Sequence, residues 1–367
     1  MAKLCKGAKI ALAAVGGVIG LAVLTVVVYV LYVVCSFSRI ADNVALEISD
    51  NSAVVADGEG EYTVMTYNVG FGAYGPDYTF FMDTGVMKDG TKTKGKHGTA
   101  VSRADVEKNI NGSAETIKQY NPDFVIVQEV DHDSTRSYKT DQRAVFTSID
   151  GYGSVYAENY HSSYLMYPLN DPHGKNNAGI VTLSKYKIAD SVRRSFPIAG
   201  GFSKFTDLDR CFSVTHIPVG SKTLSLISLH MSAYDKGGTI RKQQAEMLKT
   251  VLSEEYAKGN YVIAGGDFNQ DLIGDLEKFP SEQKIPEWVA SYDADDIPQG
   301  FSIATDFDSD VGSCRGADVV WERGVTYTCV IDGFIVSDNI TVKKAEIVDN
   351  DFAYSDHNPV LLTFSFN

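Results

Sequence analysis

The first forty residues contain no aspartate or glutamate, and the rest of the chain is short of positive charge. Of 33 lysines and arginines, four (Lys3, Lys6, Lys9 and Arg39) fall in that opening stretch, leaving 29 against 47 acids beyond it, a net −18. Affinity for nucleic acid comes mainly from neutralised phosphates, so this scarcity of bases excludes a general DNA-binding module, and no stable nucleic-acid partner is expected. Cysteine is also sparse. Of five, only Cys211, Cys314 and Cys329 lie beyond the first forty residues, and an odd number cannot all pair internally. Cys314 with Cys329 is the pairing favoured by proximity, and three buried thiols is the alternative. There is no internal repeat and no low-complexity tract. With 44% hydrophobic and 22% charged residues, wholesale disorder is excluded.

What the N-terminus does have is an uncharged run of 26 residues, 10–35, built mostly of Val, Leu, Ala, Ile and Gly. A helix of that length exceeds the roughly 20 residues needed to cross a bilayer. A signal peptide would carry an apolar core of only about 7–15 residues and a small-x-small cleavage site. This run is longer and ends Tyr32-Val33-Val34-Cys35 without such a site, and Val34 is too large for a lipoprotein box. The expectation is an uncleaved signal anchor. Lys3, Lys6 and Lys9 precede the span and only Arg39 follows it closely, which keeps residues 1–9 in the cytoplasm and the remainder outside the cell membrane.

Residues 36–60 are polar, acidic and glycine-bearing, as expected of a linker, and 61–367 form a single larger domain. Within it, short runs rich in Val, Ile, Tyr and Phe recur at 63–69, 123–130, 178–184, 211–219, 224–231, 261–268, 326–337 and 360–366. Each is bounded by Gly, Asn, Asp or Pro and reads as a strand. Two stretches read as helices. Ser102 and Asp105 form a capping-box-like start ahead of the stripe Val106, Ile110, Ala114 and Ile117. The second spans about 239–258, with Ala245, Leu248, Val251 and Leu252 on one face and Gly259 as a stop. Many strands with a few helices imply two packed sheets with helices outside.

Strand after strand ends in a group able to bind metal or carry a proton. The ends are Asn68, Glu129 followed by Asp131, His230, Asp267 followed by Asn269, Asp332, and the loop Asp356-His357. Singly, each has a plain structural explanation: a turn-forming Asn or Asp, a solvated acid, a packed histidine. Jointly they supply the chemistry of one divalent-metal hydrolase. Hard oxygens of Asn68, Glu129 and Asp356 suit Mg²⁺ or Mn²⁺. A His–Asp pair can activate water, and a second His with an Asn amide can donate to phosphoryl oxygens.

The pieces Thr66-Tyr67-Asn68-Val69, Gln128-Glu129-Val130, Gly179-Ile180-Val181-Thr182-Leu183-Ser184-Lys185, Leu229-His230, Gly266-Asp267-Phe268-Asn269, Ile331-Asp332 and Ser355-Asp356-His357-Asn358-Pro359-Val360 occur in the order found in one family. In these motifs the sequence resembles the endonuclease/exonuclease/phosphatase superfamily, which includes deoxyribonuclease I, exonuclease III, inositol-polyphosphate 5-phosphatases and neutral sphingomyelinases. The whole arrangement, anchor included, is similar to membrane-anchored members from Gram-positive bacteria. The resemblance covers about 61–367 and implies an α/β, four-layer αββα sandwich with its site at one edge of the paired sheets, here behind a single N-terminal transmembrane helix.

It further implies that Glu129 is the principal metal carboxylate, with Asn68 and Asp356 assisting. His357 is then the base or phosphate-contacting histidine, oriented by Asp332. Asp267 positions the attacking water or assists the leaving group, and Asn269 orients phosphate. His230 matches the second histidine of the deoxyribonuclease I and sphingomyelinase branches. Asn176-Asn177-Ala178 stands where abasic-site repair enzymes carry a tyrosine, which argues against DNA repair. Lys175, Asn177 and Arg210 are candidate substrate-binding residues in segments outside the shared motifs. The aromatic stretch at 71–82 is either packing or a lipid-facing lip. The expected activity is hydrolysis of a phosphoester, with small phosphoesters or phospholipid headgroups favoured. A deoxyribonuclease I-type nuclease and a non-catalytic binding module on the same fold are the alternatives.

Overall fold

The computed structural model describes every residue except 1–4, 202, 206–208, 234 and 236. Lys3 of the basic flank and Asp207 and Leu208 of a variable segment therefore lie outside the described residues. The chain begins with α1 (Lys6–Ser36), β1 (Val44–Ala45), β2 (Ile48–Ser49), β3 (Tyr62–Asn68) and the hairpin β4 (Thr84–Val86) and β5 (Lys92–Lys94). There follow α2 (Arg103–Tyr120), β6 (Phe124–Asp131), α3 (Gln142–Thr147), β7 (Gly153–His161), β8 (Asn177–Ser184), β9 (Asp190–Ser195), β10 (Cys211–Val219) and β11 (Lys222–His230). The last part comprises α4 (Thr239–Ala257), β12 (Tyr261–Asp267), β13 (Phe301–Ala304), β14 (Cys314–Arg315), β15 (Thr328–Cys329), β16 (Asp332–Ser337), β17 (Ile340–Ile347) and β18 (Val360–Phe366).

Among the described residues these build two seven-stranded sheets, ordered β17-β18-β3-β6-β8-β7-β2 and β1-β9-β10-β11-β12-β16-β13. Side chains alternate across a strand, and here both faces are apolar because both are covered. Val64, Phe124 and Ile126 point inward to meet Leu224, Leu226, Ile263 and Phe334 of the other sheet. Their neighbours Met65, Val125 and Val127 point outward beneath Val106, Ile110, Ala114 and Ile117 of α2 and Phe146 of α3. On the opposite side Ile227, Leu229, Val262 and Ala264 pack under Ala245, Leu248, Val251 and Leu252 of α4. The result is the four-layer αββα sandwich.

The helix ends follow local chemistry. The Ser102 hydroxyl accepts from the Asp105 amide at 3.1 Å and donates to the Asp105 carboxylate at 2.6 Å. Asn121 closes α2 in a left-handed conformation. The stretch expected as one strand at 326–337 is broken into β15 and β16. Several strands escape the sequence pattern: β7 and β9 are too polar, and β17 carries adjacent Lys343 and Lys344 at a sheet edge.

The stretch read as a linker corrects that expectation. Val44 and Ala45 pair with Arg193 and Val192 of β9, Ile48 and Ser49 pair with β7, and Ala56 is fully buried beside Val219. Arg39 bonds Asp209 at 2.7 Å and the Phe196 carbonyl at 3.1 Å, while the Ile40 amide donates to Asp209 at 2.7 Å. Few and scattered apolar residues hide this segment from pattern reading, yet it covers one edge of each sheet and leaves little free chain after α1.

One buried ion pair fixes the wall behind the sheets' common edge. Arg136 donates to Asp131 from Nε at 3.0 Å and Nη2 at 2.8 Å, the Ser137 hydroxyl bonds the same carboxylate at 2.8 Å, and the guanidinium lies over the Phe71 ring at 4.0 Å. Asp131→Ala strands the guanidinium charge and is expected to cost about 3–5 kcal/mol, read as a lowered denaturation midpoint. Wild-type stability in that variant would show that Arg136 finds another counter-charge.

Candidate active site

The topology brings distant residues to one edge. β3 and β6 are parallel, as are β11 and β12, so Asn68, Glu129, His230 and Asp267 all lie toward carboxyl ends. The antiparallel neighbours begin where those strands finish. Asp332 opens β16 directly opposite Asp267, and the loop holding Asp356 and His357 leads into β18, which runs back along β3.

A bulge aims the principal acid. Between Val127 and Val130 the β6–β8 register shifts, and Glu129 takes φ +56°, a left-handed conformation that Glu adopts only when the surroundings impose it. Its Oε1 accepts from Asn68 Nδ2 at 3.3 Å and lies 4.0 Å from His230 Nε2. Asn68 is buried. Its amide nitrogen also donates to Asp267 at 2.9 Å, while its oxygen accepts from the Gly70 amide at 3.0 Å. Asn68 therefore braces the carboxylates here, and would offer an oxygen to a cation only after its amide rotates.

Asp267 is the hub. Its carboxylate accepts from the Asn269 amide at 2.8 Å and lies 3.4 Å from His230 Nε2 and 3.8 Å from His357 Nε2. Burial, then the nearby Asp332 charge, push its pKa upward. The two histidines are driven apart. Burial, then the charges of Arg210, His357 and Arg136, hold His230 well below its ordinary value, so it is neutral. Burial would depress His357 likewise, but the Asp332 carboxylate, 2.8 Å from Nδ1, together with the Cys314 sulfur, more than offsets this and holds it well above. With Nδ1 engaged, Nε2 of His357 is left to face Asp267 and the cleft. Asp332 is fixed in turn by the Ser313 hydroxyl at 2.7 Å.

Asp356 completes the acid cluster. Its pKa is pushed up to about 6, first by burial and then by the Glu129 charge, although His357 and Arg315 oppose this. Gly70 permits the approach: at φ +49° it carries no side chain, and a Cβ there would sit 2.8 Å from Asp356 Oδ1. A divalent cation fits this donor set. Glu129 and Asp356 provide hard, mutually repelling oxygens whose repulsion an ion would relieve. Ligand atoms of Asp267, Asp332 and His357 also lie within 4.8 Å of one another. That second group is already knit by hydrogen bonds from His357 and Ser313, which favours a proton-handling role for it.

Glu129, His230, Asp267, Asp356 and His357 line a cleft of about 770 Å³ together with Arg136, Tyr160, His173, Arg210 and Asn269, while Asn68 and Asp332 support them from behind. Asn269 donates one amide hydrogen to the Met231 carbonyl at 2.9 Å, and Arg241 holds the Asn269 carbonyl at 2.8 Å. Of the three candidate substrate-binding residues, only Arg210 belongs to the cleft; Lys175 is exposed and Asn177 starts β8 outside it. The cleft takes His173 from the same segment instead. Arg136 and Ser313 were invisible to motif reading: each matters through a partner five or more positions away. The aromatic stretch is largely packing, with Phe71, Tyr74 and Phe80 buried and Met82 exposed. Cys314 and Cys329 face each other across β14 and β15, and all five cysteines are free thiols among the described residues.

Similar solved structures have the same fold. An endonuclease/exonuclease/phosphatase from Beutenbergia cavernae is 16% identical with TM-score 0.55, covering 84% of this chain and 72% of its own. ANGEL2, a 2′,3′-cyclic phosphatase, is 13% identical with TM-score 0.52, covering 88% and 98%. An endonuclease/exonuclease/phosphatase from Bacteroides vulgatus is 15% identical with TM-score 0.51, covering 84% and 100%. No curated protein matches the sequence. The model of the Endonuclease/Exonuclease/phosphatase family matches residues 65–357, from just before Asn68 to His357. The chain belongs to the endonuclease/exonuclease/phosphatase family.

Proposed function

We propose that the protein is a divalent-metal-dependent phosphoester hydrolase held at the outer face of the cell membrane by α1. The convergence of His230, Asp267 and His357 beside Glu129 and Asp356 in one cleft, with Asp332 behind His357, carries this reading. Glu129 and Asp356 would hold Mg²⁺ or Mn²⁺, with Asn68 joining through its amide oxygen. Such an ion supplies positive charge to a phosphoryl oxygen and acidifies water. Asp267, its pKa raised toward the working range, accepts a proton from the attacking water. His357, kept charged by Asp332, donates from Nε2 to a phosphoryl oxygen as charge builds there, and Asn269 and neutral His230 orient the group. Arg136, Arg210 and Arg315 add positive charge to the cleft wall.

α1 contains an uncharged run, 10–35, long enough to span a bilayer. The lysines at its start and Arg39 at its end support a cytoplasmic N-terminus. The net −18 beyond residue 40 disfavours a duplex, so small phosphoesters and phospholipid headgroups remain the favoured substrates. The test is hydrolysis of p-nitrophenyl phosphomonoesters and bis(p-nitrophenyl) phosphate by the full chain in detergent. Activity should require Mg²⁺ or Mn²⁺ and vanish with chelator. A folded protein that cleaves no phosphate ester would be a binding module instead.

A further inference from the structure

The cleft reaches the anchor helix. Its lining runs from His357 and Asp267 out through Phe81, Met82, Leu165, Met166 and Tyr167 to Tyr29 of α1. The segment 163–166 is tied to the last turns of that helix. Tyr29 Oη donates to the Tyr164 carbonyl at 3.1 Å and accepts from the Met166 amide at 3.1 Å. Tyr32 Oη accepts from the Tyr164 amide at 3.1 Å, and the Ser36 and Ser163 hydroxyls bond each other.

These contacts fix where the bilayer stops. A folded loop bound at Tyr29 keeps hydrocarbon from rising past that level on its side of the helix. Counting back from Tyr29, the uncharged run extends to Ile10, twenty residues and thus one bilayer core of about 30 Å. Tyr29 and Tyr32 then occupy the interfacial zone, where tyrosine is enriched. The attached loop lies at the same depth, and it is apolar where it is most exposed. Tyr167 is 61% and Leu169 79% accessible, with Tyr164, Met166 and Met82 also exposed. Exposed aromatic and aliphatic side chains grouped beside a membrane helix fit a lipid surface better than water.

We infer that the loop 164–169 rests in the headgroup layer of the leaflet around α1, and that the cleft opens onto that layer to receive the phosphoester of a membrane phospholipid. This rests on the phosphoester-hydrolase reading and deepens it. The phosphate reaches the histidines, with Arg136 and Arg210 in the wall, while the acyl portion stays along Phe81, Met82, Leu165 and Met166 without leaving the bilayer. In the reaction water oxygen bonds to phosphorus and one ester P–O bond breaks. Asp267 takes a water proton and later releases it to solvent, from which the departing oxygen takes its own.

The test uses the full chain in phosphatidylcholine–phosphatidylglycerol vesicles with divalent metal. Hydrolysis should proceed on lipid in the vesicle that carries the protein, and addition of protein-free vesicles should not raise it. Indole fluorescence of the Leu169→Trp variant should be quenched by bromine-labelled acyl chains beyond the wild-type signal of Trp288 and Trp321. Tyr164→Asp with Leu169→Asp, outside the cleft lining, should cut vesicle-lipid hydrolysis about tenfold or more while cleavage of bis(p-nitrophenyl) phosphate stays within about twofold. Cleavage of soluble esters with no lipid hydrolysis, or an added fluorescence in Leu169→Trp that only aqueous iodide quenches, overturns this inference and leaves the hydrolase reading standing. Failure on every phosphoester overturns both.

Discussion

His357→Ala is expected to lower turnover of a phosphodiester by about 10²–10⁴-fold while leaving the metal concentration for half-maximal activity near that of the wild type. The imidazolium Nε2 faces the hub carboxylate across the cleft. Removing the ring also leaves Asp332 buried against Ser313 alone, so folding must be checked by near-ultraviolet circular dichroism. A companion variant separates role from packing. Asp332→Asn keeps a hydrogen-bonding group beside Nδ1 but removes the charge that holds His357 protonated. A group raised in the folded protein keeps its proton to higher pH. Wild-type activity should therefore persist through neutrality and fall only as pH climbs past the elevated His357 value. In Asp332→Asn that fall should move to lower pH. An unmoved alkaline limb would show that His357 acts without its charge, and a fully active His357→Ala would remove it from the chemistry.

The sequence makes this site legible because each chemical group sits at the end of an apolar run, where a pattern change is visible. Asn68, His230, Asp267 and Asp332 terminate or open strands that are buried along nearly their whole length. The supporting shell is not legible for the opposite reason. Ser313 acts on Asp332 across 19 positions, and Arg136 matters because a turn folds it back onto Asp131. Neither residue type nor spacing marks such pairs, since only the fold brings them together. Lys175 illustrates the converse: a cation near a motif draws attention, yet the cleft lining takes His173 from the same segment and Lys175 is exposed outside it.

The same contrast applies to the architecture. Strands with two buried faces, such as β6 and β12, stand out from sequence, whereas β9 and β17, at or near sheet edges, carry charged residues and escape the apolar pattern. Two-residue strands such as β1 and β2 fall below any periodicity, and backbone pairing holds them with help from anchors such as Arg39. Their consequence is functional. A free stalk would let the domain move away from α1, but a segment stitched to both sheets keeps the cleft beside that helix.

Glu129→Gln tests the metal assignment independently of the histidines. The amide keeps the shape and one oxygen but loses the charge that attracts the ion. Partners one shell out from a metal typically matter about 10–100-fold in affinity, so a direct carboxylate should matter at least that much. At a metal concentration of 100 times the wild-type dissociation constant, the wild type gains about 2.7 kcal/mol of stability from binding, and the variant should lose most of it. Without metal the sign reverses. Asp356 is held up to about 6 by burial and, in addition, by Glu129. An acid whose folded value lies above its unfolded value loses stability as pH rises through the folded value. Wild type without metal should therefore weaken between about pH 4 and pH 7, and Glu129→Gln should weaken less. Thermal unfolding across that range, with chelator and with Mg²⁺, reads both effects in one series. If the variant keeps the wild-type metal requirement and the wild-type pH slope, Glu129 holds no ion and the hard-oxygen site belongs to Asp356 with Asp267.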